Sequence, residues 1–447
     1  MQRHQFESYL DKVFDWKQLK AAQSEGRHDP THPWPKVFDT LFLGSACQFG
    51  PIHRIETECR GGVLRKRIGK ISEDTLGYAM QRQNPAEIFD LGCQVAKQLK
   101  RNGVLKSDWA RGRVVAAVDG IEICSSYCRC CDACMSREVE RKVDGNLHKF
   151  LQYYHRVSAV TVVSTPFPIF LGIRFQQDGE TEVACSLALL KDLTEKLGRR
   201  FIDILVHDAL YLQAPYVREV ESLGMDWVIN LKDNQPTLLA EAEQLTAGPP
   251  QLNETTSKQD LKLWHVPEVD WPVADRTVRV VKTLRVLKTK CVKIEERPIE
   301  EQPTEAPQIE EPKAKKTKSK NCKGKKPKTK RVKTKKDEPV VSTNFYASNL
   351  ELGSIPPYFI HQLGRSRWTI DVQAFQTITT DCHLKRPSTH QEIALIMLTM
   401  IRVLGYTLTM VFYYRQVRSH SRSVAPGFCD MARQLGYDFL TAYSNSS

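Results

Sequence analysis

Apolar and charged positions mix at helical spacing through the first 110 residues. KISEDTLGYAMQR carries a helix start, with Ser72 as N-cap and Glu73 and Asp74 in the first turn. NPAEIFDLGCQVAKQLKRNGV follows as an amphipathic helix ending at Gly103. The pattern then changes. RVVAAVDGIEI is a β-branched, apolar run, and RVSAVTVVST and PIFLGIRFQ are two more strands divided by a turn at Pro166 and Pro168. A helix is predicted over residues 182–197, and FIDILVHDAL is a fourth strand ending at an acid. Helix PYVREVESLG, strand MDWVINLK and helix PTLLAEAEQL come next. Three consecutive strands followed by alternating helices and strands predict an α/β fold: a mixed sheet with helices on both faces.

Residues 248–355 interrupt that order. LWHVPEVDWP and RTVRVVKTLRVLKTKCVKI read as strands, and VVSTNFYAS resumes as one. Between them, residues 295–339 hold no apolar periodicity, so a disordered charged linker is expected. Helices PPYFIHQLGRSRWTIDVQAFQTI and THQEIALIMLTMIRVLGYTLTMVFYYRQ close the core. The expected organisation is an N-terminal helical region (1–110), a core begun in 111–247, a β-rich insertion (248–355) and completion of the core in 356–447. The last helix contains an apolar run as long as a membrane span, but Arg402 sits in its middle, which predicts a buried core helix.

Three acids stand out by position. Asp119 follows VVAAV, and Asp208 ends FIDILVH. Both fall at the ends of strands, where open sheets place ligand sites; each also fits a turn former or helix cap. Asp371 lies at the centre of a face that helical spacing assigns to Gly364, Arg367, Trp368, Asp371, Ala374, Phe375 and Ile378. A salt bridge to Arg367 or Arg365 explains that acid alone, but neither strand-end acid has a base beside it in sequence. Three converging carboxylates make an all-oxygen site suited to Mg²⁺, and paired ions of this kind serve phosphoryl transfer.

With these residues in view, the chain resembles the DDE transposases of bacterial insertion sequences. AVDGIEI resembles their first catalytic strand, and ILVHDALYLQAPYVREVESLGMDWVINLKDNQPTL the second-acid region. DGETEVACSLALL resembles the helix start that precedes the second acid, and RSRWTIDVQAF the third-acid helix. The resemblance implies an RNase H-like core that cleaves DNA with two Mg²⁺ or Mn²⁺ ions and transfers the freed strand. It implies catalytic, metal-holding roles for Asp119, Asp208 and Asp371, and DNA contacts from Arg365 and Arg367; Lys232 and Asn234, at the end of the fifth strand, either touch DNA too or belong to a solvated loop. It also implies end binding by residues 1–110, a homodimer on paired ends and a place at the bacterial nucleoid. In the group with a β-rich insertion, the third acid belongs to a pattern of Tyr, two residues, Arg, three, Glu, six, Lys. Here Arg367 matches, Asp371 stands for Glu, Gly364 for Tyr and Ile378 for Lys. Asp381 and Glu392 are alternative acids that fit the helix pattern less well. These departures leave two other expectations open: a catalytically inactive DNA-binding descendant, or a nuclease without strand transfer.

Composition adds two features. The N-terminus lacks the basic-then-apolar pattern of a signal peptide, so the 13 cysteines are expected reduced, in the cytoplasm, with no membrane partner. CSSYCRCCDACMSREVERK follows the first acid, and Cys131 and Cys134 have metal-ligand spacing. Cys128 and His155, or His148, are candidates to complete a structural Zn²⁺ site; unligated thiols in a hairpin are the alternative. The net charge of +13 traces to residues 313–336, which hold 14 Lys or Arg and no acid. That run suits sequence-independent phosphate binding, or simply solvation.

Overall fold

The computed structural model describes residues 3–143, 145–288, 340–351, 353, 355–386, 389–420 and 425–441. The expected linker 295–339, with its lysine run, lies outside them. Seven helices come first: α1 (Arg3–Phe14), α2 (Trp16–Ala21), α3 (Trp34–Ala46), α4 (Ile52–Arg60), α5 (Arg65–Ile68), α6 (Glu73–Met80) and α7 (Pro85–Arg101). Ser72 caps α6 as predicted, its hydroxyl accepting from the Thr75 amide at 3.2 Å.

Strands β1 (Val115–Ser126), β2 (Met135–Val143), β3 (Asn146–Val162) and β4 (Ile169–Phe175) follow, then helix α8 (Glu182–Leu197) and strand β5 (Ile204–His207). Helix α9 (Ala214–Ser222), strand β6 (Asp226–Leu231) and helix α10 (Pro236–Leu245) complete the first part of the core. Strands β7 (Leu252–Thr255), β8 (Gln259–Trp271), β9 (Arg276–Leu287) and β10 (Val340–Ser348) come next. The chain ends with α11 (Pro357–Ser366), a π-helical turn (Ile370–Phe375), α12 (Gln376–Thr380), α13 (Glu392–Phe412) and α14 (Phe428–Thr441).

All ten strands belong to one sheet, in the order β2-β3-β1-β5-β6-β10-β9-β8-β7, with β4 also paired to β3. β1, β5 and β6 are parallel; the other pairings are antiparallel. The central order β4-β3-β1-β5-β6 is that of an RNase H-like sheet, as expected. The β-rich insertion is not a separate layer: β10 pairs with β6, so β7 to β10 extend the same sheet. The charged residues of SREVERK hid a further strand, β2, which forms a long hairpin with the first half of β3. That hairpin buries little, so no alternation marks it in the sequence: only Met135 of β2 is buried.

The N-terminal helices share a contiguous apolar core with the sheet and the last helices. α13 runs through its centre. The stretch Glu392–Arg418 is long and apolar enough to cross a membrane, yet 89% of its window is buried inside the protein. Gly405 lets α3 approach: a Cβ there would lie 2.9 Å from the Ser45 Cβ. The buried Arg402 guanidinium donates to the carbonyls of Gly50 (2.7 Å), His383 (3.2 Å) and Arg386 (3.2 Å). It thus supplies a donor to the buried Gly50 carbonyl and ties down the part-buried loop that precedes α13.

Candidate active site

The apolar run VVAAV makes β1 a fully buried strand up to Val118, and Asp119 is where that burial ends. β1 and β5 pair in parallel with Ala117 opposite Val206. Asp119 and Asp208 each lie two residues further on, so they stand side by side at the carboxyl ends of adjacent strands. Residues two apart on a strand share a face, and neighbouring strands are about 4.8 Å apart. The Asp119 Oδ1 accepts from the Gly120 amide at 2.8 Å. Asp208 caps a 3₁₀ turn (Ala209–Tyr211), accepting from the Ala209 amide, and faces the Lys232 ammonium at 3.6 Å.

Asp371 arrives on the π-helical turn Ile370–Phe375. The Arg367 Nη1 lies 3.1 Å from the Asp119 Oδ2 and 3.1 Å from the Asp371 Oδ2. The two carboxylates are therefore within about twice that distance of each other. Arg367 is buried, and its Nε has no hydrogen-bond partner among the described residues. This corrects the sequence reading in one respect. The strand-end acids do have bases, Arg367 and Lys232, contributed from remote parts of the chain. Arg367, expected as a DNA contact, is a buried bridge between two acids, and its ion pair with Asp371 is the salt bridge that helical spacing allowed. Its charge is also what makes Asp371 tolerable at this position.

The predicted helical face is only partly kept. Gly364, Arg367, Ala374, Phe375 and Ile378 are buried, but Trp368 is 56% exposed and Ile370 takes an inward place. The cause is the break after Ser366 and the wider π turn, which shift the register of the face. Two departures from the family pattern gain a steric reason. The Tyr346 ring lies against Gly364, where a Cβ would come within 2.2 Å of it, and Ile378 is fully buried.

Glu182, which sequence reasoning did not single out as a site residue, borders the same acids. It opens α8 behind the Thr181 N-cap. Its carboxylate accepts from the Tyr211 hydroxyl (3.1 Å), pairs with the Arg156 guanidinium (2.7 Å) and lies against Gly120, where a Cβ would meet it at 2.6 Å. Asn234, expected to touch DNA, donates to the Ala209 carbonyl at 2.6 Å, and Gln235 donates to the Leu212 carbonyl at 2.8 Å. Together they hold the turn that carries Asp208. Arg365 is exposed and lies on the side of Tyr346 and Arg285. Of the alternative acids, Asp381 hydrogen-bonds Thr380 at 3.0 Å and influences Cys382 and Tyr406, away from the three acids. Glu392 lies toward Cys131.

Burial, then the Asp371 charge, push the Asp119 carboxyl up to about 7; the Gly120 amide and Arg367 oppose this. A carboxylate so poorly compensated has room for a further cation. Yet the three acids do not form a closed ligand cage. The two groups of His, Cys, Asp or Glu ligand atoms that come within 4.8 Å of one another, among the described residues, lie elsewhere. One is Cys131, Cys134 and His155; the other is the more exposed His53, Glu56 and Glu73.

In the first group, Sγ of Cys131 and Sγ of Cys134 are 3.5 Å apart, and the His155 Nε2 lies 3.3 and 3.1 Å from them. Cys128 is exposed and stands outside the group, contrary to expectation, because its own backbone turns away to the Ser126 hydroxyl. His148 is out on the hairpin, opposite Arg141.

The transposase DDE domain family matches residues 142–408, a span that includes Asp208 and Asp371 but begins after Asp119. Comparison with curated proteins gave no match. Among solved structures, the cryo-EM structure of the piggyBac transposase synaptic complex with hairpin DNA is similar at 10% identity and a TM-score of 0.42, over 99% of this chain and 80% of that one. The family match covers more than half of the sequence, and the chain belongs to the transposase DDE domain family.

Proposed function

We propose that this transposase cuts and joins DNA with Asp119, Asp208 and Asp371 as its acid set. The observation that carries the reading is the parallel register of β1 and β5, which aligns two acids at strand ends, together with the single guanidinium shared by the first acid and the third. The family uses divalent metal ions. Mg²⁺ or Mn²⁺ fits the donor set, all carboxylate oxygen, and the under-compensated Asp119 supports a cation there. Asp119, Asp208 and Asp371 would hold two such ions. When bound, they supply Lewis-acid activation of the attacking oxygen and charge neutralisation at the leaving one. The chain's own residues do the rest. Asn234 and Gln235 fix the Asp208 turn, and Glu182 with Tyr211 backs the Asp119 strand. Arg367 balances Asp119 against Asp371.

The finer readings follow from this one. Lys232 is exposed beside Asp208, and Arg365 is exposed on the side of Tyr346 and Arg285; both suit phosphate contacts. Residues 1–110 would bind the element's ends, a homodimer would pair two ends, and the bacterial cytoplasm, at the nucleoid, would be the site of action. A structural Zn²⁺ on Cys131, Cys134 and His155 is a separate ion from the catalytic pair.

The test is cleavage of a labelled duplex carrying the gene's own flanking ends, with Mg²⁺, Mn²⁺ or chelator. Wild-type protein should nick and join the end to a plasmid. Asp119→Asn, Asp208→Asn and Asp371→Asn should each lower the rate by about 10³-fold or more, on the scale of losing a positioned electrostatic group. DNA binding with no nicking under any metal identifies an inactive descendant. Nicking without joining identifies a nuclease.

A further inference from the structure

We propose that the β2–β3 hairpin is a DNA-docking arm, and that one of its faces, built around Arg141, Phe150 and Tyr127, lies on duplex DNA beside the cut site. This rests on the transposase reading above and goes beyond it, because neither the acid set nor the basic residues already assigned to DNA lie on this hairpin.

Strand alternation sorts the hairpin's charges by face. Residues directly opposite one another in an antiparallel pair share a face, as do residues two apart on one strand. Arg137 stands opposite Gln152, Val139 opposite Phe150 and Arg141 opposite His148, so these side chains share the first face. The second face takes Glu138 opposite Leu151, Glu140 opposite Lys149 and Lys142 opposite Leu147. Both acids among the described hairpin residues therefore fall on the second face, where Glu138 meets the Lys149 ammonium at 3.3 Å. On the first face, Arg137 is tied at the root to Gln152 (2.8 Å) and to Glu122 of β1 (2.9 Å). From there to the tip, that face carries cations and no described acid. Core packing does not demand this sorting: β2 is the outermost strand, pairs with β3, and buries only Met135. Cations gathered on one exposed face complement a polyanion. The exposed aliphatic side chains Leu147 and Leu151, which suit a protein partner better, are on the other face.

The first face is also prearranged. Tyr127, from the loop before β2, folds over it: its hydroxyl accepts from the Gln152 amide at 3.0 Å, and its ring meets the Phe150 ring edge-on at 6.2 Å between centroids. The Arg141 guanidinium lies 4.4 Å over the Tyr127 ring, and the Arg137 guanidinium 4.5 Å over the Tyr154 ring. A guanidinium stacked on a ring is held in place while its N–H edge stays open to phosphate oxygens. Phe150 is 37% exposed and offers apolar contact between the cations. A two-stranded ribbon fits the DNA major groove, which is about 12 Å wide. The hairpin leaves the sheet at the carboxyl end of β1, the end that carries Asp119. β3 runs without a break from the acid site into it: Ala159 is opposite Asp119, and Phe150 lies nine residues earlier on the same strand. At about 3.4 Å per residue those nine steps span about 31 Å. Duplex DNA also advances about 3.4 Å per base pair, so Phe150 stands about nine base pairs from the acid.

The experiment uses full-length protein and a labelled duplex carrying the gene's own flanking ends, with chelator present so that binding is read without cutting. Fluorescence anisotropy over a salt series compares the wild type with Arg141→Met, Arg141→Lys and Lys142→Met, and circular dichroism shows that each variant folds. Arg141→Met should weaken binding and make the slope of log affinity against log salt shallower by about 0.9, the value for one phosphate contact. Its deficit should thus shrink about 3.5-fold between 50 and 200 mM salt. Arg141→Lys should keep the wild-type slope. Lys142→Met removes the same charge from the opposite face and should change neither affinity nor slope. A benzophenone-bearing phenylalanine placed at position 150 gives a second readout: on irradiation it should crosslink to the DNA, about nine base pairs from the cut. An unchanged slope in Arg141→Met, an equal loss in Lys142→Met, or crosslinks to a second copy of the chain and none to DNA overturns the arm and leaves the acid-set reading standing. The expected slopes and crosslinks in a wild type that nicks DNA under no metal keep the arm and overturn the catalytic reading. A wild type that binds no DNA overturns both.

Discussion

Asp119 shows how much of this site depends on what is packed beside a residue. Its neighbour Gly120 is constrained by close approach, since the carboxylate of Glu182, held by Tyr211 and Arg156, fills the space a side chain would need. Gly120→Ala should lower the unfolding free energy by about 1–3 kcal/mol, the usual cost of overpacking. Adding Glu182→Ala should recover most of that loss. Thermal or urea midpoints of the two single variants and the double variant test this, and fully additive effects would rule out the contact.

Below the acids, His207 is buried between Tyr211 and Tyr216, and burial, then Arg367, push its pKa down to about 3. Its unfolded value is near 6.5. The unfolded chain therefore takes up a proton that the folded protein refuses. Stability should fall as pH drops below about 6.5, by up to about 1.4 kcal/mol per unit for one such group, until pH nears 3. His207→Gln should flatten the decline in urea midpoint between pH 7 and pH 5 relative to wild type. An unchanged slope would assign the acid sensitivity to other buried groups, such as His265 and His361.

Among the elements, those with strong periodicity are legible in the sequence and those whose role is set by remote partners are not. The burial of β1, β5 and β6 can be read from continuous apolar runs, and the α8 start from Thr181 and Glu182. Strand β2 cannot: it is exposed along almost all its length, so nothing selects an alternating pattern. The π turn is also hidden, because one extra residue per turn leaves composition unchanged while re-aiming Asp371. Arg367 matches the family pattern in sequence, but its contact with Asp119, 248 residues away, belongs to tertiary structure alone.

α13 is the core helix that Arg402 predicts, and that residue yields a direct test. Arg402→Met keeps the apolar stem but removes the donors to Gly50, His383 and Arg386. The buried Gly50 carbonyl then loses its guanidinium donor, and those of His383 and Arg386 lose a part-buried one, so stability should drop by about 1–3 kcal/mol. Loss of soluble, cooperatively folding protein on this substitution, with Arg402→Lys intermediate, fits this role. A neutral effect on the melting midpoint contradicts it.

At the scale of the whole molecule, the sheet spans the catalytic core and the inserted strands without a break, so the insertion shares the stability of the core. Its two long strands meet where the chain departs: Val340 pairs with Leu287 across β9 and β10. The described residues that flank 289–339 are thus adjacent, and a two- to five-residue hairpin turn is geometrically sufficient to join them. Replacing that segment with such a turn should leave the melting midpoint and the acid site intact. It removes the 14 basic residues of 313–336, which account for the net charge of +13. If those lysines touch DNA, affinity for unrelated duplexes should fall at low salt. The slope of log affinity against log salt should also become shallower by roughly 0.9 for each phosphate no longer neutralised. Fluorescence anisotropy over a salt series measures both. A slope unchanged by the replacement leaves the run as a solvated insertion and moves the phosphate contacts to the folded surface, where Arg365 and Lys232 are the first residues to substitute.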